Sequence, residues 1–336
     1  MYLTNKKVAV MGAAGAIGSN LVQDLLSTGT ANRIAMYDPY AKGLEGAAEE
    51  IFHCAYPGAE ITWTTDVAEA LSGASYVISS GGAPRREGMT REDLLIGNCE
   101  IARQLGEDIR RYAPDAEFVI VIFNPADVTG LTTLVHSGLP PAHVSTLAAL
   151  DSTRLRRELA KHFGVHPDEV TGCATYGGHG EMMAVFSRDI VVQGIPIHEL
   201  LSGTAVNGRT LTREQWEQIQ DSVRKGGSRI IELRGRSSFQ SPAHQSVEML
   251  RARIGCLEYP WPCGAYFGSG PYANIMMAAP VRFTAFGMEA DQPDGTPEDM
   301  AALKKSYEHL CRLRDEVIAA GLLPPIAEWN RLNANL

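Results

Sequence analysis

The chain has 336 residues, 45% hydrophobic and 21% charged, with 33 Gly and 18 Pro. That balance excludes disordered, collagen-like and coiled-coil chains, and the length suggests two domains in one subunit. Lys and Arg number 30 against 39 Asp and Glu, a net charge of −9 that would repel a nucleic-acid backbone. The longest apolar run, Phe118–Phe123, is far too short to cross a bilayer, so no membrane partner is expected.

In chain order, Val8–Met11, Arg33–Tyr37, Ile61–Thr64, Tyr76–Ser79 and Phe118–Phe123 are short, apolar and often β-branched, and read as strands. Between them, Ile17–Leu26 and Leu94–Tyr112 carry helical spacing. In the second, Leu94, Asn98, Ile101, Leu105, Ile109 and Tyr112 fall on one face. Such alternation predicts a parallel sheet covered on both sides, closed by a last strand over Val144–Leu150. The rhythm then changes. A helix over Asp151–Phe163 leads to strands around Val170–Thr175 and Met182–Val192, and a long helical pattern runs through Glu214–Leu233. Trp261–Gly287 reads as sheet with tight turns, and Thr296–Ala320 as a closing amphipathic helix. Residues 1–150 and 151–336 are expected to be two domains, packed closely because no low-complexity linker separates them. The six cysteines (Cys54, Cys99, Cys173, Cys256, Cys263, Cys311) include no C-x-x-C pair. With no leader pattern in Met1–Lys7, they read as reduced thiols of a cytoplasmic protein rather than zinc ligands.

Lys7–Met11 runs into Gly12-Ala13-Ala14-Gly15-Ala16-Ile17-Gly18 and then a helix. A glycine-rich turn there lets the backbone approach a pyrophosphate at the helix N-terminus. Asp38 stands twenty residues after Gly18, at the end of the second strand. A carboxylate at that point can accept from both ribose hydroxyls and would repel a 2′-phosphate, which favours NAD over NADP. Gly81-Gly82, after the fourth strand, suits close backbone approach to the same cofactor.

The stretch from Gly81 to Leu94 holds Arg85, Arg86 and Arg91 between glycines, the composition of a hinged lid carrying cations. Thr90 with Asp93 reads as an N-cap, which makes Arg91 the first helical residue. A cation at that end of the macrodipole is mildly unfavourable, by about 0.3–1 kcal/mol, and so points to an anionic ligand. Leu150-Asp151-Ser152-Thr153-Arg154 puts an acid and an arginine three apart on one helix face, although Asp151 could serve only as an N-cap. His179 lies among glycines in Thr175–Glu181, an exposed loop setting that the other eight histidines lack. Paired with a carboxylate, it would make a proton donor and acceptor near neutral pH.

Gly-Ala-Ala-Gly-x-Ile-Gly, the arginine loop, Phe123-Asn124-Pro125, Leu150-Asp151-x-x-Arg154 and Gly177-Gly178-His179-Gly180 occur in an order that resembles the malate/lactate dehydrogenase family, on its malate side. The resemblance runs from residue 7 to about 250. It implies a Rossmann-type doubly wound parallel sheet followed by a mixed α+β catalytic domain. It also implies an NAD-dependent oxidoreductase acting on a small dicarboxylate without a metal, and a homo-oligomer, dimer or tetramer. By residue, His179 would exchange the proton and Asp151 would hold its imidazole. Arg154 would fork the carboxylate beside the reacting carbon, and Arg91 would polarise the carbonyl. Asn124 would contact both substrate and nicotinamide. Gly12, Gly15, Ala16, Ile17, Gly18, Asp38, Gly81, Asn98 and Ile122 would hold the cofactor, with a cis bond at Asn124–Pro125. Arg85, six residues before Arg91, matches the position where malate enzymes carry arginine and lactate enzymes glutamine, with Arg86 the competing neighbour. Gly180-Glu181 and the stretch Trp261–Gly287 depart from the family pattern, and Ser238 and Ser241 fall where the family lines its site. Two alternatives stand beside this reading: a lactate-type enzyme, and a non-catalytic NAD-binding protein, whose mark would be an eroded proton relay.

Overall fold

Strong apolar alternation places the first strands within one or two residues of expectation. The computed structural model describes residues 1–83 and 91–336, with 91–93 described for their backbone only. In chain order come β1 (Lys7–Met11), α1 (Ala16–Ser27), β2 (Arg33–Tyr37), α2 (Ala41–His53), β3 (Glu60–Thr64), α3 (Val67–Leu71), β4 (Ala74–Ser79), α4 (Arg91–Tyr112), β5 (Phe118–Val121), α5 (Ala126–Ser137), β6 (Val144–Leu147) and α6 (Ala149–Phe163). The second half adds β7 (Val170–Thr171), β8 (Ala174–Tyr176), β9 (Ala184–Phe186), β10 (Val191–Val192), β11 (Ile195–Pro196), α7 (Ile197–Leu201), α8 (Arg213–Arg224), α9 (Gly226–Arg234) and α10 (Gln240–Gly255). It ends with β12 (Cys263–Phe267), β13 (Ile275–Ala279), β14 (Val281–Thr284), β15 (Gly287–Ala290), α11 (Pro297–Ala319) and α12 (Trp329–Leu332).

The main sheet has eight strands in the order β13-β12-β6-β5-β4-β1-β2-β3. The six strands of the first half run parallel, and their order reverses between β1 and β4. In such sheets ligands bind outside the carboxyl ends of the strands at that reversal. Strands β12 and β13 add antiparallel to β6, with Cys263 opposite Leu147 and Gly264 opposite Thr146. The sheet is thus shared by both halves, and one apolar core runs from Val8 and Leu21 through Phe118 to Met277 and Leu310. Each large side chain fully buried there contributes roughly 1.5–3 kcal/mol.

Several boundaries move. The strand expected over Val144–Leu150 stops at Leu147, and α6 begins at Ala149, so Asp151 is the third residue of a helix capped at Ala148. The pattern Glu214–Leu233 is two helices that break at Lys225, where Gly226-Gly227 follow. Met182–Val192 resolves into β9 and β10. Helices α2, α5 and α10 carry no expectation from the sequence. Every residue of α5 is buried, and Thr129, Thr132 and Thr133 satisfy their hydroxyls on the carbonyls of Phe123, Val128 and Ala102. A helix buried all round has no polar face, so no amphipathic stripe announces it. Helix α4 begins at Arg91 as expected, while residues 84–90 of the lid, with Arg85, Arg86 and Thr90, lie outside the described residues.

Candidate active site

The carboxyl ends of β1, β2 and β4 converge on the glycine turn. Gly12 takes φ +84°, and a Cβ there would stand 2.7 Å from the Gly81 Cα. A Cβ on Gly18 would stand 2.1 Å from the Gly12 carbonyl oxygen. Only glycine fits at both points. Gly15 is the extended N-cap of α1 and offers no side-chain cap, which leaves the first helical N–H groups, from Ala16 through Gly18, to an anion. Asp38 Oδ2 accepts from the Ala14 N–H at 3.2 Å, and Oδ1 accepts from the Tyr40 N–H at 2.9 Å. The carboxylate is therefore fixed beside the turn with lone pairs left on both oxygens. These residues fit a dinucleotide: glycines open the cradle and a held acid stands at its ribose side.

Asn98 is 2% exposed. Its Oδ1 accepts from Ala83 N–H at 2.8 Å, and its Nδ2 donates to the carbonyls of Ala83 (3.2 Å) and Asn124 (2.6 Å). Its amide thus ties the loop after β4 to the loop after β5. Ile122 is buried and donates its N–H to the Ser79 carbonyl at 2.9 Å. Asn124 is exposed, its carboxamide has no partner among the described residues, and its bond to Pro125 is cis, as the resemblance implies.

Asp151 and Arg154, one turn apart on α6, meet His179 from the loop after β8. His179 Nδ1 lies 2.6 Å from Asp151 Oδ2, and Arg154 Nη1 donates to Asp151 Oδ1, also at 2.6 Å. One carboxylate, 4% exposed in its side chain, grips both the base and the guanidinium. The negative charge of Asp151 raises the His179 pKa above its ordinary value, against the opposing effect of burial. Burial pushes Asp151 up, but the imidazole and Arg154 outweigh it and hold the carboxyl below its usual range. Among the described residues, Arg154 Nε and Nη2 have no hydrogen-bond partner, so two donors stay open for a ligand.

The sequence reading missed the groups that hold this loop. Asp127, buried in the first turn of α5, accepts the His179 backbone N–H at 2.8 Å. Burial pushes its carboxyl up to about 6. Ser306 of α11 accepts the Gly178 N–H at 2.8 Å, and Gly177 bridges Ala278 of β13 through two backbone bonds. Ser306 and Ala278 sit a hundred or more residues away, with no local signal to find them. Asp127, two residues after Pro125, had one: a carboxylate amid apolar residues next to a site motif. The side chain of Arg91, like Arg85 and Arg86, lies outside the described residues. Ser238 lies just before α10 and Ser241 in its first turn.

Residues 6–146 match the lactate/malate dehydrogenase NAD-binding domain, and residues 148–310 match the lactate/malate dehydrogenase alpha/beta C-terminal domain. The second match runs through Trp261–Gly287, the stretch whose sequence departed from the pattern. A malate dehydrogenase of Xanthobacter autotrophicus is 36% identical over 299 residues, which span 85% of this chain and 88% of that one. The crystal structure of Cryptosporidium parvum malate dehydrogenase superposes with TM-score 0.84 at 29% identity, covering 94% of this chain and 100% of the other. A lactate dehydrogenase from Cryptosporidium parvum, complexed with lactic acid and NAD, does so with TM-score 0.81 at 27% identity, covering 93% and 98%. Glycine cradle, held acid and doubly gripped carboxylate thus stand on a fold matched over most of its length, and the chain belongs to the lactate/malate dehydrogenase family.

Proposed function

We propose that the protein is an NAD-dependent malate dehydrogenase that interconverts (S)-malate and oxaloacetate. The observation that carries the reading is the single Asp151 carboxylate gripping His179 and Arg154 at 2.6 Å each, on the same fold as the glycine cradle. With Nδ1–H donated to Asp151, the imidazole keeps its Nε2 lone pair for the substrate hydroxyl. His179 takes that proton during oxidation and returns it during reduction, and Asp151 stabilises the imidazolium between the two. The open Nε and Nη2 donors of Arg154 suit the carboxylate beside the reacting carbon. By resemblance, Arg91 polarises the carbonyl and Arg85 or Arg86 pairs with the distal carboxylate. Gly12, Gly15, Ala16, Ile17, Gly18 and Gly81 would hold the cofactor pyrophosphate, and Asp38 the ribose, where its charge disfavours NADP. Asn98 and Ile122 would act through the backbone they fix, and Asn124 through its free carboxamide. When bound, NAD supplies the two-electron acceptor for C2 of malate.

The reading also divides the chain near residue 150 into an NAD-binding and a substrate-binding part, a division supported by the two family matches that meet there. No described helix is long and apolar enough to cross a membrane. A homo-oligomer, on the strength of the resemblance, and a cytoplasmic setting, on that of six free cysteines, complete the proposal.

NADH oxidation over a panel of 2-keto acids tests the reading. Oxaloacetate should exceed pyruvate in kcat/KM by about 10²-fold or more, because pyruvate leaves a desolvated guanidinium unpaired. A preference for pyruvate would replace malate with lactate. Arg85→Gln should narrow the ratio; an unchanged ratio would transfer the distal contact to Arg86.

A further inference from the structure

We infer that Gly226 is a positioning residue that sets the reach of Arg154. The inference rests on the reading of Arg154 as the carboxylate fork and adds the element that aims it. The long helical pattern after Glu214 breaks at Lys225, which closes α8 and caps α9 with φ −88° and ψ 0°. That break brings the first residue of α9 against the arginine. A Cβ on Gly226 would stand 2.7 Å from Arg154 Cδ, 3.0 Å from Nε and 3.4 Å from Cζ. At the next residue, Gly227, a Cβ would meet only Nη2, at 4.0 Å, which is ordinary contact. The backbone at neither glycine takes a positive φ, so conformational freedom is not what calls for glycine at 226. Space for the arginine stem is.

Arg154 is therefore fixed at two points. Its Nη1 is held by Asp151 Oδ1 at 2.6 Å, and its stem lies across the bare Cα of Gly226. A methyl group at 226 collides with the middle of the side chain. The side chain is tied at one end to α6 and at the other to Asp151, so the collision strains that contact. Rotating the arginine either breaks the Asp151 contact or withdraws the open Nε and Nη2 donors from the substrate. Displacing a positioned group by about 1 Å can cost 10²-fold. A carboxylate fork acts in ground and transition states alike, so the loss falls mainly on KM.

The matched pair Gly226→Ala and Gly227→Ala tests this, with Arg154→Ala as reference and NADH and oxaloacetate as probes. Gly226→Ala should raise the oxaloacetate KM about 10- to 100-fold with little change in kcat and none in NADH affinity. Gly227→Ala, with the same gain in helix propensity, should stay within about twofold of the parent. In an Arg154→Ala background, where the colliding atoms are gone, Gly226→Ala should add nothing. An equal rise in KM from both glycine variants overturns the inference, as does an undiminished penalty in the Arg154→Ala background, which would make Gly226 a folding residue. If Arg154→Ala itself leaves KM unchanged, the carboxylate fork is misassigned. If Arg154→Ala raises KM and Gly226→Ala does not, only the inference fails.

Discussion

The glycine cradle and the proton relay are built from opposite materials. In the cradle, function resides in missing side chains: Gly12 and Gly18 lie where a Cβ would strike backbone, and most of the turn sits within one stretch of the chain. In the relay, function resides in side chains, and its members come from α6, the loop after β8, α5, β13 and α11. A site made of backbone tolerates almost any neighbour but no added atom. A site made of side chains depends on charge and on the elements that aim each group.

Substitutions in each region can break that contrast. The largest effect should come from His179→Asn, which removes the imidazole that exchanges the proton. Turnover should fall about 10⁴-fold or more, while NADH binding, read by fluorescence titration, stays at the parental value. Persistent turnover would sever the relay from the chemistry. Asp151→Asn comes next, with a kcat loss approaching the roughly 10⁴-fold seen when a comparable orienting acid is neutralised. Its pH signature is directional. The charge of Asp151 raises the His179 pKa, so neutralising it should move the midpoint of the oxaloacetate-reduction profile toward acid, because that direction uses the imidazolium. A midpoint that stays put would mean another group sets the proton.

Smaller effects sharpen the contrast from the cradle side. Gly18→Ala places a methyl 2.1 Å from the Gly12 carbonyl oxygen and should weaken NADH binding about tenfold, with kcat at saturating cofactor nearly unchanged. A loss confined to kcat would show that the turn shapes chemistry as well as binding. The smallest effect belongs to Asp127→Asn, which keeps an acceptor for the His179 N–H but removes the charge. Because burial raises the folded pKa of Asp127 to about 6, the parent should lose stability as pH rises from about 4 to 6, where the unfolded chain has already released the proton. Melting temperatures across that window should slope down less in the variant, and parallel curves would assign the slope elsewhere.

The same contrast explains what could be read from the sequence. The cradle and β1–β5 were legible because short apolar strands, a glycine turn and a spaced acid are local patterns. Asp151, Arg154 and His179 were legible as types in a familiar order, and the 2.6 Å contacts then joined them. Helix α5 was illegible because its threonines bond back into buried carbonyls and leave no polar stripe. Ser306 acts on a backbone N–H group, and no residue type announces that role, whereas Asp127 left a trace as a carboxylate amid apolar residues. The break at Lys225 was missed because helical spacing persists across it, and only the contact with Arg154 shows what the two glycines permit.

The shared sheet has a mechanical consequence. The His179 loop is stitched through Gly177 to β13, β13 pairs with β12, β12 with β6, and β6 runs on through β5 and β4 to β1. A continuous lattice of main-chain bonds thus links the base to the coenzyme turn, at about 4.8 Å per strand. Relay and coenzyme seat hang on one girder, so a strain applied at either end is passed along the sheet to the other.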